Sequence, residues 1–166
     1  MDSNERRFQS IFEKAPVGIA HLALDGTWLL VNPALCEVTG YSSSELVGRR
    51  FHDITHAEDL PAELAQMHRL LAAEIDNYVM EKRYIRKNGG FVCAQLHVSI
   101  SRTPSGSPDC FVAVVQDIMR RKQAEEGLAN VNRELEYRVS ARTLDLQATN
   151  LKLQREILET EIARND

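Results

Sequence analysis

A break in composition near residue 118 constrains this chain more than any other feature. All five prolines and seven of the eight glycines lie before it. After it a run to Asp166 holds no proline, only Gly127, and much Glu, Arg, Leu, Gln and Ala. Such a run favours one uninterrupted helix. At 1.5 Å per residue, Arg120 to Arg164 would extend roughly 65–70 Å. A helix of that length is not stable alone in water and needs a partner.

The apolar spacing shows how such a partner would pack. One row runs Leu128, Val131, Leu135, Val139, Arg142, Leu146, Asn150, Leu153, Ile157. Its repeat averages about 3.67 residues per turn, which favours a straight or slightly right-handed bundle. A second row, Tyr137, Leu144, Leu151, Leu158, keeps sevenfold spacing on a different side. Both rows cannot be the centre of one two-stranded coil. The expectation is a dimeric coiled coil with the first row as its seam, in which Arg142 and Asn150 weaken the packing and fix its register.

Before the break, Phe8, Ile11 and Phe12 have the spacing of a short amphipathic helix closed by Pro16. Val17 to Leu24 and Thr27 to Val31 are two strands joined by Asp25-Gly26, a hairpin signal. Residues 33 to 50 read as short helical pieces broken at Gly40 and Gly48, with a serine of 42–44 as a cap. Asp59 to Glu74 reads as a helix with Leu60, Leu64, Met67, Leu70 and Leu71 along one side. Tyr78 to Arg86, Phe91 to Ser101 and Cys110 to Gln116 are three further strands with turn residues between them. The order predicts an α+β domain with a five-stranded antiparallel sheet and short helices on one face. The expected divisions are a flanking helix over 1–14, a compact domain over 15–118 and a long coiled-coil helix over 119–166.

Bulk properties exclude some functions. A net charge of −4 gives no general argument for nucleic acid. No apolar stretch approaches the roughly 18–20 residues that cross a bilayer, and the polar N-terminus has no signal-peptide core. Cys36, Cys93 and Cys110 are odd in number and far apart, which fits free thiols and a cytoplasmic setting. There is no nucleophile or phosphate-loop motif, so no catalytic residue and no enzymatic activity is expected in this chain.

Several local phrases together resemble the PAS domain family. They are Phe12 to Ile19, Asp25-Gly26, Val31-Asn32-Pro33-Ala34, Thr39-Gly40-Tyr41, Glu45-Leu46-Val47-Gly48, His56 to Asp59, Arg86 to Gly90, and Val115-Gln116-Asp117-Ile118 ahead of Arg121 to Glu125. The resemblance implies a PAS fold and a sensing or dimer-scaffolding role. It implies that Asn32 braces the start of the helical segment and that Asp117 marks the exit from the last strand. Met119 stands where the family usually has Thr, so Asp117 is expected to cap the outgoing helix. Asp117 and Met119 are the candidate signal-transfer residues.

PAS domains hold haem, flavins, small acids, metals or nothing, so the resemblance leaves the ligand unknown. The light-sensing branch carries a cysteine where this chain has Phe51, which argues against a covalent flavin adduct. Haem-binding members use a histidine on the long central helix. His68 lies later on that helix than the family's ligand, whose place holds Glu63 or Leu64, which argues against haem. His52 and His56, with Asp53, Glu58 and Asp59, superficially resemble a metal set. They read better as a helix start with acids at its positive end, so no metal is expected.

A small-molecule ligand stays open. If the apolar face of Phe91 to Ser101 points inward, the candidate pocket is Asn32, Tyr41, Phe51, Leu96, Val98 and Val115. If the polar face does, Cys93, Gln95 and His97 would line it. The cost of burying unpaired Gln and His, a few kcal/mol each, favours the first.

The phrase Asn132 to Thr143 resembles linkers ahead of bacterial histidine kinase cores and, less specifically, diguanylate cyclases. The expected function is a cytoplasmic sensor that forms a homodimer through its N-terminal helix and coiled coil and drives an output module, a sensor histidine kinase of a two-component system. The alternatives are a ligand-free dimerisation scaffold and a haem-based gas sensor.

Overall fold

The computed structural model describes residues 3–165 and the side chains of residues 3–160. The chain divides after Arg120 into two units. In the first, α1 (Ser3–Lys14) leads to the hairpin β1 (Gly18–Leu22) and β2 (Trp28–Val31). Then come α2 (Pro33–Thr39), α3 (Ser43–Leu46), a 3-10 turn (Phe51–Ile54) and α4 (Leu60–Leu71). The strands β3 (Asn77–Ile85), β4 (Phe91–Arg102) and β5 (Pro108–Asp117) follow, and α5 (Met119–Asn165) closes the order. The five strands form one antiparallel sheet in the order β2-β1-β5-β4-β3.

Local chemistry explains the breaks between elements. Asn32 caps α2 with Pro33 at its first turn, where a missing N–H costs nothing. Ser42 N donates to the Glu45 carboxylate at 2.9 Å, closing the start of α3. The long internal helix ends at Leu71, three residues before the expected Glu74. Ala73 adopts a φ of 57° and Glu74 N bonds back to Arg69 O at 3.0 Å, so the last turn is tied off.

Strand alternation places the core. Val92, Ala94, Leu96 and Val98 are buried on one face of β4, and Phe111, Ala113 and Val115 on the same face of β5. The helical segment packs over that face. On the other side of β1, the rings of Phe8 and Phe12 from α1 each lie 6.3 Å from His21.

In α5, the apolar residues of both expected rows, from Leu128 to Leu158, are exposed on the single chain. Arg138 and Glu134 pair at 2.6 Å along its surface. Among the described residues no helix is long and apolar enough to cross a membrane.

Candidate functional site

The core contains a cavity of about 20 Å³, room for one water molecule. Every strand contributes to its wall: Leu22 from β1, Trp28 from β2, Tyr78 and Tyr84 from β3, Leu96 and Val98 from β4, Phe111 and Ala113 from β5. The 3-10 turn adds Phe51, and α4 adds Met67 and Glu63. The hairpin turn fixes Phe51. Gly26 has a φ of 85°, and a Cβ there would come within 2.6 Å of the Phe51 ring.

Most of the wall is apolar or aromatic; its one charged member, Glu63, belongs to a buried cluster whose other side chains lie behind the wall. Lys82 Nζ donates to both oxygens of the Glu63 carboxylate, at 2.5 and 2.7 Å, and to Thr55 Oγ1 at 3.0 Å. Thr55 in turn donates to Phe51 O at 2.9 Å. The ammonium also lies 4.1 Å from the Tyr84 ring centre and 5.2 Å from that of Phe51, so the lysine sits in a cage of two aromatic faces and one carboxylate. Burial pushes Lys82 below its ordinary value, and attraction to Glu63 offsets part of that. Burial, with the Glu63 charge nearby, drives the Tyr78 and Tyr84 phenols well above their usual range, so both stay neutral.

One fully buried polar side-chain atom of the cavity residues lacks a partner. Trp28 is almost wholly buried, and its Nε1–H meets no acceptor. The backbone of Trp28 is fully engaged, its N–H donating to Arg49 O at 2.8 Å and its carbonyl accepting from Gly48 N at 3.0 Å. The indole is therefore held in place while its N–H remains available.

The cavity wall continues into the exit from the domain. β5 carries Phe111 and Ala113 in the cavity, then Val115, then Asp117. Asp117 Oδ1 accepts from Met119 N at 2.8 Å, taking up a free N–H at the start of α5. Asp117 Oδ2 lies 3.8 Å from the Arg86 guanidinium at the end of β3. Ile118 is buried and its N–H bonds Cys93 O at 3.0 Å.

The structure distributes the candidate pocket residues in two groups. Phe51, Leu96 and Val98 line the cavity; Asn32, Tyr41 and Val115 do not. Val115 is fully buried between Gly18 and Leu96 in the sheet. Tyr41 is half-buried beneath the Arg49 guanidinium, 5.9 Å from its ring centre. Asn32 is a clasp: its Oδ1 accepts from Ile19 N and Leu35 N, and its Nδ2 donates to Phe12 O and Val17 O, at 2.8–3.0 Å. All its side-chain donors are used, so none is left for a ligand.

The alternative polar pocket is corrected by the sheet. Cys93, Gln95 and His97 project to the outer face of β4, opposite the cavity, because Val92, Ala94, Leu96 and Val98 take the inward positions. His68 is exposed on α4 and outside the cavity wall. The space and the residues do not fit a haem. None of the half-buried thiols Cys36, Cys93 and Cys110 lines the cavity. Among the described residues no three His, Cys, Asp or Glu side chains cluster as metal ligands.

Glu63, Lys82, Thr55 and Trp28 were not among the residues singled out from sequence for a pocket. A signal for two of them exists. Glu63 is three residues after Leu60 and four before Met67, on the apolar stripe of α4. Lys82 shares strand parity with Tyr78 and Tyr84.

The family comparison agrees with this architecture: a model described as the PAS fold matches residues 6–118. The chain belongs to the PAS family. This PAS chain is 39% identical over 140 residues to the probable diguanylate cyclase DgcE of Escherichia coli (strain K12), covering 84% of this chain and 12% of that protein. It is 27% identical over 135 residues to the sensor histidine kinase TmoS of Ectopseudomonas mendocina, covering 81% of this chain and 14% of that protein. The chain therefore spans a small part of the curated relatives it matches. A crystal structure of the PAS domain of an HTR-like protein from Haloarcula marismortui is similar at 28% identity and a TM-score of 0.56, over 69% of this chain and 92% of that one. The chain carries a PAS sensory domain of the kind found in signalling proteins.

Proposed function

We propose that the cavity around Glu63 and Lys82 is the sensory site, and that its state reaches an output module through β5, Asp117 and α5. The observation that carries this reading is the continuity of β5. The strand that supplies Phe111 and Ala113 to the cavity ends at Asp117, whose carboxylate caps the first N–H of α5. A buried ion pair adds little net stability, so its place in a cavity wall supports a sensory use.

In this reading α5 pairs with a second copy in a coiled coil, burying the rows that are exposed on one chain. Two packings of those rows are the two signalling states. The chain itself is not an enzyme. Its output module is a diguanylate cyclase or a histidine kinase, as named for the two relatives above, and the higher identity supports the cyclase. The working compartment is the cytoplasm. Asn32, Tyr41 and Val115 then act as a frame around the cavity rather than as ligand contacts.

A second reading, a ligand-free dimerisation scaffold, is favoured by one observation: the cavity holds little more than a water molecule. Native mass spectrometry of the gently purified chain, followed by denaturing extraction, separates the two. A dimer that releases a stoichiometric small molecule supports the sensor. A clean dimer without one supports the scaffold. A monomer overturns the coiled coil in both.

A further inference from the structure

The chemistry of the cavity limits its occupant. Three properties of its wall fix what can enter. First, its one charged member, Glu63, is already neutralised by Lys82 behind it, which is in turn held by aromatic rings and Thr55. A third charge would be buried without a counter-charge, which costs several kcal/mol. Second, among the lining residues one fully buried polar side-chain atom has no partner, the Nε1–H of Trp28. A buried N–H without an acceptor is costly, and an occupant that accepts from it recovers that cost. Third, the rest of the wall is apolar or aromatic, and Met67 is its unbranched, adaptable member.

We propose that the cavity takes a small uncharged ligand carrying one hydrogen-bond acceptor, received by the indole N–H of Trp28. A single water is the smallest occupant of this class and fits the cavity as it stands. A larger one seats its acceptor at Trp28 and its apolar body against Met67, which moves aside. Cations meet a cage already filled by Lys82, and anions meet a lysine already neutralised by Glu63. This inference rests on the reading of the cavity as the sensory site, and the test below separates the two.

The test uses four planar molecules of nearly the same shape: acetone, isobutene, acetate and acetamidinium. Each is titrated into the full chain while the indole N–H and methionine methyl resonances are followed by NMR. Acetone is expected to move the Trp28 indole proton, as a new acceptor does, together with the Met67 methyl. Acetate and acetamidinium are expected to move neither. Trp28→Phe is expected to weaken acetone about tenfold and to leave isobutene unchanged.

Acetate or acetamidinium binding as tightly as acetone would overturn the ligand class while leaving the cavity as a site. So would an equal effect of Trp28→Phe on acetone and isobutene. If none of the four enters, the ligand class falls for everything larger than water, and the sensory reading falls with it. Should Trp28→Phe not fold, the response of the parent chain to the four probes decides alone.

Discussion

Lys82 Nζ lies 2.5 and 2.7 Å from the two carboxylate oxygens of Glu63, joining β3 to α4 across the inside of the domain. Neither side chain reaches solvent to any extent. Removing one partner leaves a buried charge, at a cost of about 3–5 kcal/mol, whereas replacing both by apolar groups is often neutral. Lys82→Met and Glu63→Leu should each lose stability of that order, and the double variant should regain most of it. Urea unfolding measures all three. A double variant no better than the singles would show that the pair is not the coupling it is taken for.

The Asn32 clasp ties the end of α1 to the hairpin and to α2. Asn32→Ala removes the side-chain partner of four backbone groups, two in buried and two in part-buried hydrogen bonds, and a loss of about 2 kcal/mol is expected. Asn32→Asp is the sharper test, because a carboxylate still accepts from Ile19 and Leu35 but cannot donate to Phe12 O or Val17 O. Hydrogen exchange should then accelerate in α1 more than in α2. Equal protection in both helices would contradict the clasp.

Gly26 joins backbone and site. Gly26→Ala places a side chain on a left-handed residue and against the Phe51 ring, 2.6 Å away. Strain and overpacking together should cost about 2 kcal/mol or more. Because Phe51 lines the cavity, the Trp28 indole resonance should move as well. A stable variant with an unchanged indole signal would argue against this contact.

These residues also show what was legible in the sequence. The five strands, the short helices and α5 follow from alternation, turn residues and the absence of breakers. Direct patterns of one residue type, such as Val92 to Val98, reveal a face but not which way the face points. The Glu63–Lys82 pair was hidden because its members lie on different elements, and each alone resembles a solvated side chain. Trp28 was hidden because an unpartnered N–H is a property of packing. Asn32 was legible only through family resemblance, and its bonds show it to be a brace rather than a pocket residue.

Acid should weaken the fold in a defined window. The Lys87 ammonium and the Ser42 N–H hold Glu45 at about 2, against an ordinary value of 4.5. Arg83 likewise holds Asp59 and Glu58 below their usual range. The unfolded chain then binds more protons than the folded one between these values. The contribution of Glu45 is fully present above about pH 4.5 and is lost as pH falls towards 2. Urea midpoints measured from pH 7 to 2 should decline in that window, and Glu45→Gln should flatten the decline. An unchanged acid limb would contradict the assignment.

In the proposed mechanism the cavity and the packing of α5 are coupled. Disulfide crosslinking tests it with single cysteines at Leu146, in the first row, or Leu144, in the second, after Cys36, Cys93 and Cys110 are replaced. Yields are compared between a chain with the Glu63–Lys82 pair intact and the folded double variant Glu63→Leu, Lys82→Met. The ratio of yields at the two positions is expected to change when the pair is removed. The same ratio in both chains, with both positions crosslinking, would contradict it.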